Sequence, residues 1–302
     1  MNYRHDFHAG NFADVLKHLV LTLVVAYLAK KAAPFRIIDT HAGAGLYDLA
    51  SEEAQKTGEW RAGIGRLVAL RDAVPEPAAK VLAPYLDLLE SDFAEDATDG
   101  RRLVRYPGSP LIARRLMREG DQLVANELHP EDRERLAELF HRDSQAKVMG
   151  LDGYTALKAL LPPKERRGLV LVDPPFEAAG EFDRLAGAVA AAHRRFATGI
   201  LMLWFPIKVR ADVDRLYARL AEAGLAKALA AELQVAAPVP GAKGLVATGV
   251  VIVNPPFTLA GDLAAVLPFL AEAMATGPGA QAHWRWIVQE NAQRSRDQSE
   301  NA

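Results

Sequence analysis

Short apolar segments of strand character alternate with segments of helical periodicity along most of this chain. Between residues 11 and 31, apolar residues recur every three or four positions, which predicts a helix with Asn11 as its cap and Asp14 in its first turn. Residues 169–172 are all apolar, too few and too β-branched for a helix, and two prolines follow them. They predict a strand that is buried on both faces.

The same alternation predicts a layered α/β fold. The predicted helices cover residues 111–119, 130–142, 180–196 and 209–223, and the predicted strands cover residues 35–39, 122–127, 146–150, 169–172, 199–205, 227–235 and 245–254. Strands that alternate with helices favour a parallel, doubly wound sheet. The last two strands are joined by a short segment rich in proline and glycine, which predicts an antiparallel hairpin at one edge.

Residues 51–107 interrupt this alternation. Amphipathic stretches near residues 60–72 and 78–90 predict a small helical insertion of roughly 55 residues after the first strand. We therefore divide the chain into residues 1–50, with the N-terminal tail, first helix and first strand; the insertion, 51–107; the rest of the main domain, 108–290; and a polar tail, 291–302, expected to be disordered.

Composition narrows the class of protein. A chain of 302 residues that is 50% hydrophobic can bury a substantial core. The absence of cysteine excludes disulfides, thiolate metal sites and cysteine nucleophiles. With neither an apolar run long enough to span a bilayer nor a signal pattern, we expect a cytoplasmic protein without a membrane partner.

Charge is nearly balanced overall but not locally. The net charge of −2 argues against a protein that coats nucleic acid indiscriminately. The first 36 residues carry five basic and two acidic side chains, a balance of +3, with Tyr3 and Phe7 among them. Such a segment suits a polyanion with exposed bases, although a solvated helix face and a packing tail would look the same.

Asp173-Pro174-Pro175-Phe176 is the strongest candidate for chemistry. Ligands of open α/β sheets bind at the carboxyl ends of the strands, where Asp173 is predicted to lie. An amine conjugated with an aromatic ring is a poor nucleophile, and an acceptor that takes its proton makes it a better one. Asp173 and the carbonyl of Pro174 can accept such N–H bonds, and Phe176 can stack on the base. The alternative is a structural role, in which these residues only terminate a strand.

Polar residues also follow the other predicted strands. Gly43 and Gly45, after the first strand, let the backbone approach a ligand, but the third glycine of a dinucleotide motif is absent. Glu127 and Asp152 follow the next two strands, where such folds hold ribose hydroxyls and an adenine amine. A second tetrad, Asn254-Pro-Pro-Phe257, competes with the first, but its place in the edge hairpin favours Asp173.

These motifs resemble those of the bacterial 23S ribosomal RNA adenine-N6 methyltransferase J family. The resemblance runs from Tyr3 to about Val288. It rests on Tyr3-Arg-His-Asp-Phe-His-Ala-Gly-Asn11, Ala13-Asp-Val-Leu-Lys-His18, Asp39-Thr-His-Ala-Gly-Ala-Gly45, Pro107-Gly-Ser-Pro110, Glu127-Leu-His-Pro130, Asp152-Gly153 and Asp173-Pro-Pro-Phe176.

The resemblance implies a monomeric class I methyltransferase that uses S-adenosylmethionine, without metal, to methylate adenine 2030 in protein-free 23S RNA. It implies that Asp173 accepts the proton and that Tyr3 contacts the substrate. It assigns the methyl donor to His18, His41, Ser109, Glu127, Asp152 and Gly153, beside the backbone of Gly43 and Gly45. Phe176 stands where tyrosine is common in this motif, so we expect stacking to suffice without a hydroxyl group.

Other functions stay open at this stage. The acceptor could be a DNA adenine or a protein glutamine, with the same chemistry. The glycine turn suggests a nicotinamide dehydrogenase, although its third glycine is missing. The basic N-terminal segment suggests an RNA-binding assembly factor without catalytic activity.

Overall fold

A mixed sheet of eight strands crosses the molecule in the computed structural model, which describes residues 4–97, 100–239, 241 and 244–289. The strands are β1 (Arg36–Asp39), β2 (Leu46–Asp48), β3 (Ala94–Ala97), β4 (Gly100–Leu103), β5 (Arg105–Pro107), β6 (Gln122–Asn126), β7 (Ala146–Met149), β8 (Gly168–Val172), β9 (Ile200–Pro206), β10 (Ala228–Gln234), β11 (Ala247–Val253) and β12 (Gln281–Val288). In the large sheet they lie in the order β12-β10-β11-β9-β8-β1-β6-β7.

Helices cover both faces of this sheet. They are α1 (Phe12–Ala29), α2 (Glu52–Thr57), α3 (Arg66–Ala69), α4 (Ala78–Phe93), α5 (Ser109–Leu116), α6 (Pro130–Leu139), α7 (Gly153–Leu160), α8 (Glu181–Arg195), α9 (Arg210–Glu222) and α10 (Leu259–Ala273). One core cluster contains residues of α1, α4, α5 and α10, and a second contains residues of α7, α8 and α9. The predicted doubly wound α/β architecture is confirmed.

Strand β8 shows why the central strands read as continuous apolar runs. All five of its residues are buried. Leu169 and Leu171 belong to the core cluster on the α1 side, whereas Val170 and Val172 belong to the cluster on the α8 side. Because successive side chains point to opposite faces, a strand covered on both faces needs an apolar residue at every position.

Helix α1 carries the first polar residues of the site. Its cap is Asn11, whose side chain accepts hydrogen bonds from the backbone of Ala13 and Asp14, each 3.0 Å long. By length and composition the helix could cross a membrane, with a mean hydropathy of 1.7, but 72% of it is buried inside the molecule. It packs as a core helix against the sheet.

The segment predicted as a helical insertion contains α2, α3 and α4 but also short strands. Strands β2 and β5 pair antiparallel and join its two ends. Strands β3 and β4 form a hairpin that places Glu95 opposite Arg102, a pairing of opposite charges that suits cross-strand neighbours. Tyr85 of α4 lies in the same core cluster as α1, so the segment packs onto the main domain.

The predicted hairpin is present as β10 and β11, with two additions. Strand β11 lies between β9 and β10 and is antiparallel to both, and β12 pairs with β10 beyond them. Neither β12 nor α10 was predicted from the sequence. In β12, Ala282, Trp284 and Trp286 pack on the core at every second position, a pattern that would have indicated a strand. Tyr3 and the predicted tail, 291–302, lie outside the described residues.

Candidate active site

A cavity of about 570 Å³ opens at the carboxyl ends of the parallel strands. It lies where the strand order reverses between β1 and β8, the usual ligand position in such sheets. Ten of the predicted site residues line it: His18, His41, Gly43, Ser109, Glu127, Asp152, Gly153, Asp173, Pro174 and Phe176. Gly45 does not line the cavity. It has a φ of +79°, and an added Cβ there would lie 2.8 Å from Leu136, so this glycine serves the turn and its packing.

Asp173 follows β8 and forms an ion pair across the cavity wall. Its Oδ2 accepts a hydrogen bond of 2.6 Å from Nζ of Lys17 on α1. The same ammonium lies 3.0 Å from Oδ1 of Asp14. Burial opposes the charge of Lys17, but the two carboxylates outweigh it and raise the pKa of Lys17 well above its usual value. Lys17 therefore stays charged and holds one oxygen of Asp173 in place.

Asp14, which contacts Lys17 of this ion pair, also binds residues that precede α1. Its Oδ2 accepts hydrogen bonds of 2.9 Å from Nε2 of His5 and from the backbone N–H of Gly10. Burial opposes ionisation of Asp14, but the charges of His5 and Lys17 hold its pKa well below the usual value. His5 and Gly10 are thereby held beside the cavity.

Aromatic rings form the wall next to Asp173. The ring of Phe176 lies 4.8 Å from that of Phe182 and 5.9 Å from that of Trp204. Phe176 has a φ of +51°, an uncommon conformation for a bulky residue, and such residues cluster at functional sites. The indole N–H of Trp204 is buried without a hydrogen-bond partner among the described residues.

The glycine turn after β1 closes around Glu127. Gly43 has a φ of +61°, and its backbone N–H donates to Oε2 of Glu127 over 2.8 Å. An added Cβ at Gly43 would lie 2.3 Å from the hydroxyl of Tyr47. The backbone N–H of His129 donates to the other oxygen of Glu127, and burial raises the pKa of that carboxyl group.

A second acid lies behind the glycine turn. Asp39, the last residue of β1, is buried and accepts a hydrogen bond of 2.6 Å from the hydroxyl of Ser109. Burial raises the pKa of Asp39 to about 7, and the nearby charge of Asp173 contributes to the increase. Ser109 begins α5, so the hydroxyl links the end of β1 to a helix N-terminus.

His41 and Gly153 pack closely together on the opposite side of the turn. Thr40 Oγ1 lies 2.8 Å from Nδ1 of His41. A Cβ added at Gly153 would lie 2.4 Å from Nε2 of that ring. Burial lowers the pKa of His41 to about 4, so its imidazole is neutral at neutral pH.

Asp152 caps α7 at the edge of the cavity. Its Oδ1 accepts hydrogen bonds from the backbone and hydroxyl of Thr155, at 3.0 and 3.1 Å. Arg184 lies 3.2 Å from Oδ2 and stacks over the ring of Tyr154 at 4.0 Å. Burial opposes the charge, but the hydrogen bonds from Thr155 keep the pKa of Asp152 below its usual value.

His18 offers an unused polar atom. Its Nδ1 lies 2.6 Å from the hydroxyl of Tyr106, while Nε2 is buried without a hydrogen-bond partner in the part of the chain that is described. Burial lowers the pKa of His18 to about 3. A buried polar atom without a partner costs about 1–3 kcal/mol, which suits a position that a polar ligand completes.

Sequence reasoning missed the ion pair between Lys17 and Asp173. It noted Lys17 only as part of a basic flank, yet Asp14, Lys17 and His18 are spaced so that they share one face of α1. Three polar residues together on a helix that is otherwise apolar were a usable signal. The partner, 156 residues away in sequence, was not visible.

The rival tetrad is not part of the cavity. Asn254 follows β11, which runs antiparallel to β9, and it donates hydrogen bonds of 2.8 Å to the carbonyls of Ala197 and Gly199, just before β9 begins. It therefore lies at the amino-terminal ends of the parallel strands, whereas Asp173 lies at their carboxyl ends. The preference for Asp173 over Asn254 agrees with this placement.

The strand order, the antiparallel β11 between β9 and β10, and the cavity at the β1–β8 switch point define a class I methyltransferase. Residues 32–288 match the family model described as "Ribosomal RNA large subunit methyltransferase D, RlmJ". The chain belongs to this family.

Relatives of nearly equal length support this assignment. Ribosomal RNA large subunit methyltransferase J of Escherichia coli K12 is 42% identical over 290 residues, covering 96% of this chain and all of that protein. The protein of the same name from Haemophilus influenzae is 40% identical over 293 residues, with the same coverage. A crystal structure of a Legionella pneumophila protein, 32% identical, superposes with a TM-score of 0.80 over 92% of this chain and 97% of that one.

Proposed function

We propose that this protein transfers a methyl group from S-adenosylmethionine to N6 of one adenine in 23S ribosomal RNA, adenine 2030 by family resemblance. The observation that carries the proposal is the cavity itself. It brings Asp173 and Phe176, suited to an extruded base, together with Glu127 and Asp152, suited to a nucleoside. We further propose that the enzyme acts as a cytoplasmic monomer on RNA that is free of protein.

Asp173 is the group that we assign to the amine. Lys17 occupies Oδ2, and Oδ1 accepts no hydrogen bond from the residues that the structure describes. Oδ1 and the carbonyl of Pro174 can therefore accept hydrogen bonds from the two N–H groups of an adenine amine. Accepting them favours the pyramidal nitrogen that attacks, and the carboxylate takes the proton as the new bond forms.

Lys17 positions this carboxylate. Its ammonium donates a hydrogen bond of 2.6 Å to Oδ2 of Asp173, which orients the carboxylate and leaves Oδ1 as the acceptor for the base. Asp173 thus meets the base as an acceptor. Phe176 supplies a face on which the base stacks, a contact worth about 1–3 kcal/mol where it has been tested by substitution.

The donor side of the cavity fits S-adenosylmethionine by its chemistry. Glu127 suits ribose hydroxyls and Asp152 an adenine amine, while the unpartnered Nε2 of His18 can meet a polar group. His41, Ser109 and Gly153 complete this wall. When bound, the cofactor supplies a methyl group on a positively charged sulfur, so the protein contributes mainly positioning, desolvation and a base. We assign Tyr3 to substrate contact by resemblance alone.

A methyl-transfer assay with several acceptors tests the proposal. Protein-free 23S RNA, duplex DNA and a mixed protein fraction are each incubated with enzyme and labelled donor, and the modified nucleotide is mapped. We expect label in one adenine of the RNA. Label in DNA or protein instead would replace the acceptor, and bound RNA without transfer would favour an assembly factor. Stabilisation by NADH but not by S-adenosylmethionine in a thermal-shift experiment would favour a dehydrogenase.

A further inference from the structure

A groove of about 380 Å³ lies between α7 and α8, beside the catalytic cavity. Asp152, Tyr154 and Arg184 line both spaces, so the groove continues outward from the end of the cavity where Asp152 lies. The chemistry proposed above does not use it.

Positive charge is in excess along this groove. Lys158, Arg184 and Arg195 line it, and all three are exposed. Asp152 is the acid among the lining residues, and Arg184 already lies 3.2 Å from it. Arg195 donates a hydrogen bond of 3.2 Å from Nε to the carbonyl of Leu161, and neither Lys158 nor Arg195 forms an ion pair within the described ranges of the chain. Two cations therefore stay available to an anionic partner.

The shape of the groove follows from small residues on α8. Gly187, Ala188 and Ala191 line it, and an added Cβ at Gly187 would meet nothing within 4 Å. Their spacing places them on one face of the helix with Arg184 and Arg195. By the rise of an α-helix, those two arginines lie roughly 16 Å apart along the axis. The result is an open channel with a cation at each end.

An RNA strand fits these properties. An adenine inserted into the cavity stays attached to its strand, so the neighbouring phosphates must pass over the rim of the cavity. The groove offers cations but no free aromatic face, because Tyr154 is buried beneath Arg184. Such a surface contacts phosphates and positions the strand without reading its bases.

We infer that the groove between α7 and α8 holds the sugar-phosphate backbone of the RNA strand next to the target adenosine. Lys158 and Arg195 contact phosphates there. The inference rests on the proposed function, since it takes RNA as the substrate of the neighbouring cavity.

Charge reversal tests the inference with the full-length enzyme, a 23S transcript and labelled donor. For Lys158→Glu/Arg195→Glu we expect the KM for RNA to rise about tenfold and the slope of log affinity against log salt to weaken by about 1.4, two phosphates at about 0.7 each. The kcat and the affinity for S-adenosylmethionine should not change. A KM and a salt slope equal to those of the wild type would overturn the inference.

Two matched comparisons separate a local contact from general effects. Arg142→Glu/Lys147→Glu makes the same charge change at residues that line neither space, and we expect a wild-type KM. Ala191→Gln and Ala191→Glu add similar bulk, and we expect the glutamate to weaken RNA binding more. Equal losses in either comparison would overturn the phosphate contact. Failure of the wild type to methylate RNA would instead refute the proposed function.

Discussion

Two regions of this molecule share one local pattern and have different roles. Asp173-Pro-Pro-Phe176 follows the apolar strand β8, and Asn254-Pro-Pro-Phe257 follows the apolar strand β11. Each tetrad contains one residue with a positive φ, the last residue Phe176 (+51°) in the first and the first residue Asn254 (+53°) in the second. The first tetrad contributes to the lining of the cavity at the carboxyl ends of the parallel strands, whereas the second lies at their amino-terminal ends.

Strand direction produces this difference. Strand β8 is parallel to β1 and β9, so all three strands have their carboxyl ends on the side of the sheet where the cavity opens. Strand β11 is antiparallel to β9, so its tetrad lies at the amino-terminal ends of the parallel strands. There the side-chain amide of Asn254 donates hydrogen bonds to two backbone carbonyls. Similar sequences thus become a candidate catalytic element or a structural one according to the end of the parallel strands at which they lie.

The largest contrast should follow from removing the carboxylate. Asp173→Asn preserves size but removes the proton acceptor, and we expect kcat to fall about 10²–10⁴-fold, as for loss of a general base. Donor binding, measured by calorimetry, should persist. Asn254→Ala is the matched control and should keep a near-normal kcat; equal losses of kcat in the two variants would contradict our assignment of Asp173.

Removing the counterion of Asp173 should lower the stability of the protein. Lys17→Met leaves Asp14 and Asp173 without their shared cation, and we expect the free energy of unfolding in urea to fall by about 3–5 kcal/mol. Adding Asp14→Asn removes one uncompensated charge and should restore part of the loss. Strictly additive losses in the double variant would show that the ion pair does not couple these residues.

Substitutions in the second tetrad should lower the free energy of unfolding without changing catalysis. Asn254→Ala removes both hydrogen bonds and places alanine at a positive φ, and we expect a loss of about 1–3 kcal/mol in urea unfolding. Asn254→Gly keeps the backbone conformation accessible and should lose less than the alanine variant. A raised KM for RNA in either folded variant would contradict a purely structural role.

The two phenylalanines offer the finest comparison. Phe176→Ala removes the stacking face, and we expect the KM for RNA to rise about tenfold with donor binding unchanged. Phe257 is 85% exposed and packs beside Tyr27, far from the cavity, so Phe257→Ala should change neither KM nor stability beyond about 0.5 kcal/mol. An unchanged KM for Phe176→Ala would argue against stacking.

Local pattern was enough to predict the main elements of the fold. The helical spacing after Asn11 predicted α1, and the apolar run before Asp173 predicted β8, because both follow from the preferences of neighbouring residues. The hairpin of β10 and β11 was also predicted. Its exact place was not, since the pattern of a strand carries no information about which strand lies beside it.

The candidate site was predictable as a set of residues at strand ends. Glu127, Asp152 and Asp173 were expected to meet because parallel strands end at one edge, and all three line the cavity. Gly45 does not line the cavity, and its role at the ligand stays a prediction, because a glycine required for a turn resembles one required for close approach. The alternation of Ala282, Trp284 and Trp286 in β12 is likewise a strand pattern that the sequence contains.

By itself, the sequence determined which segments form helices and strands, which faces of them are buried, and the identity of the family. Only the tertiary structure decided the direction of β11, the contact between Lys17 and Asp173, and the groove beside the cavity. The physical reason is distance along the chain. Periodicity and capping act between residues within one turn, whereas the ion pair joins side chains 156 positions apart and exists only once α1 packs against the sheet.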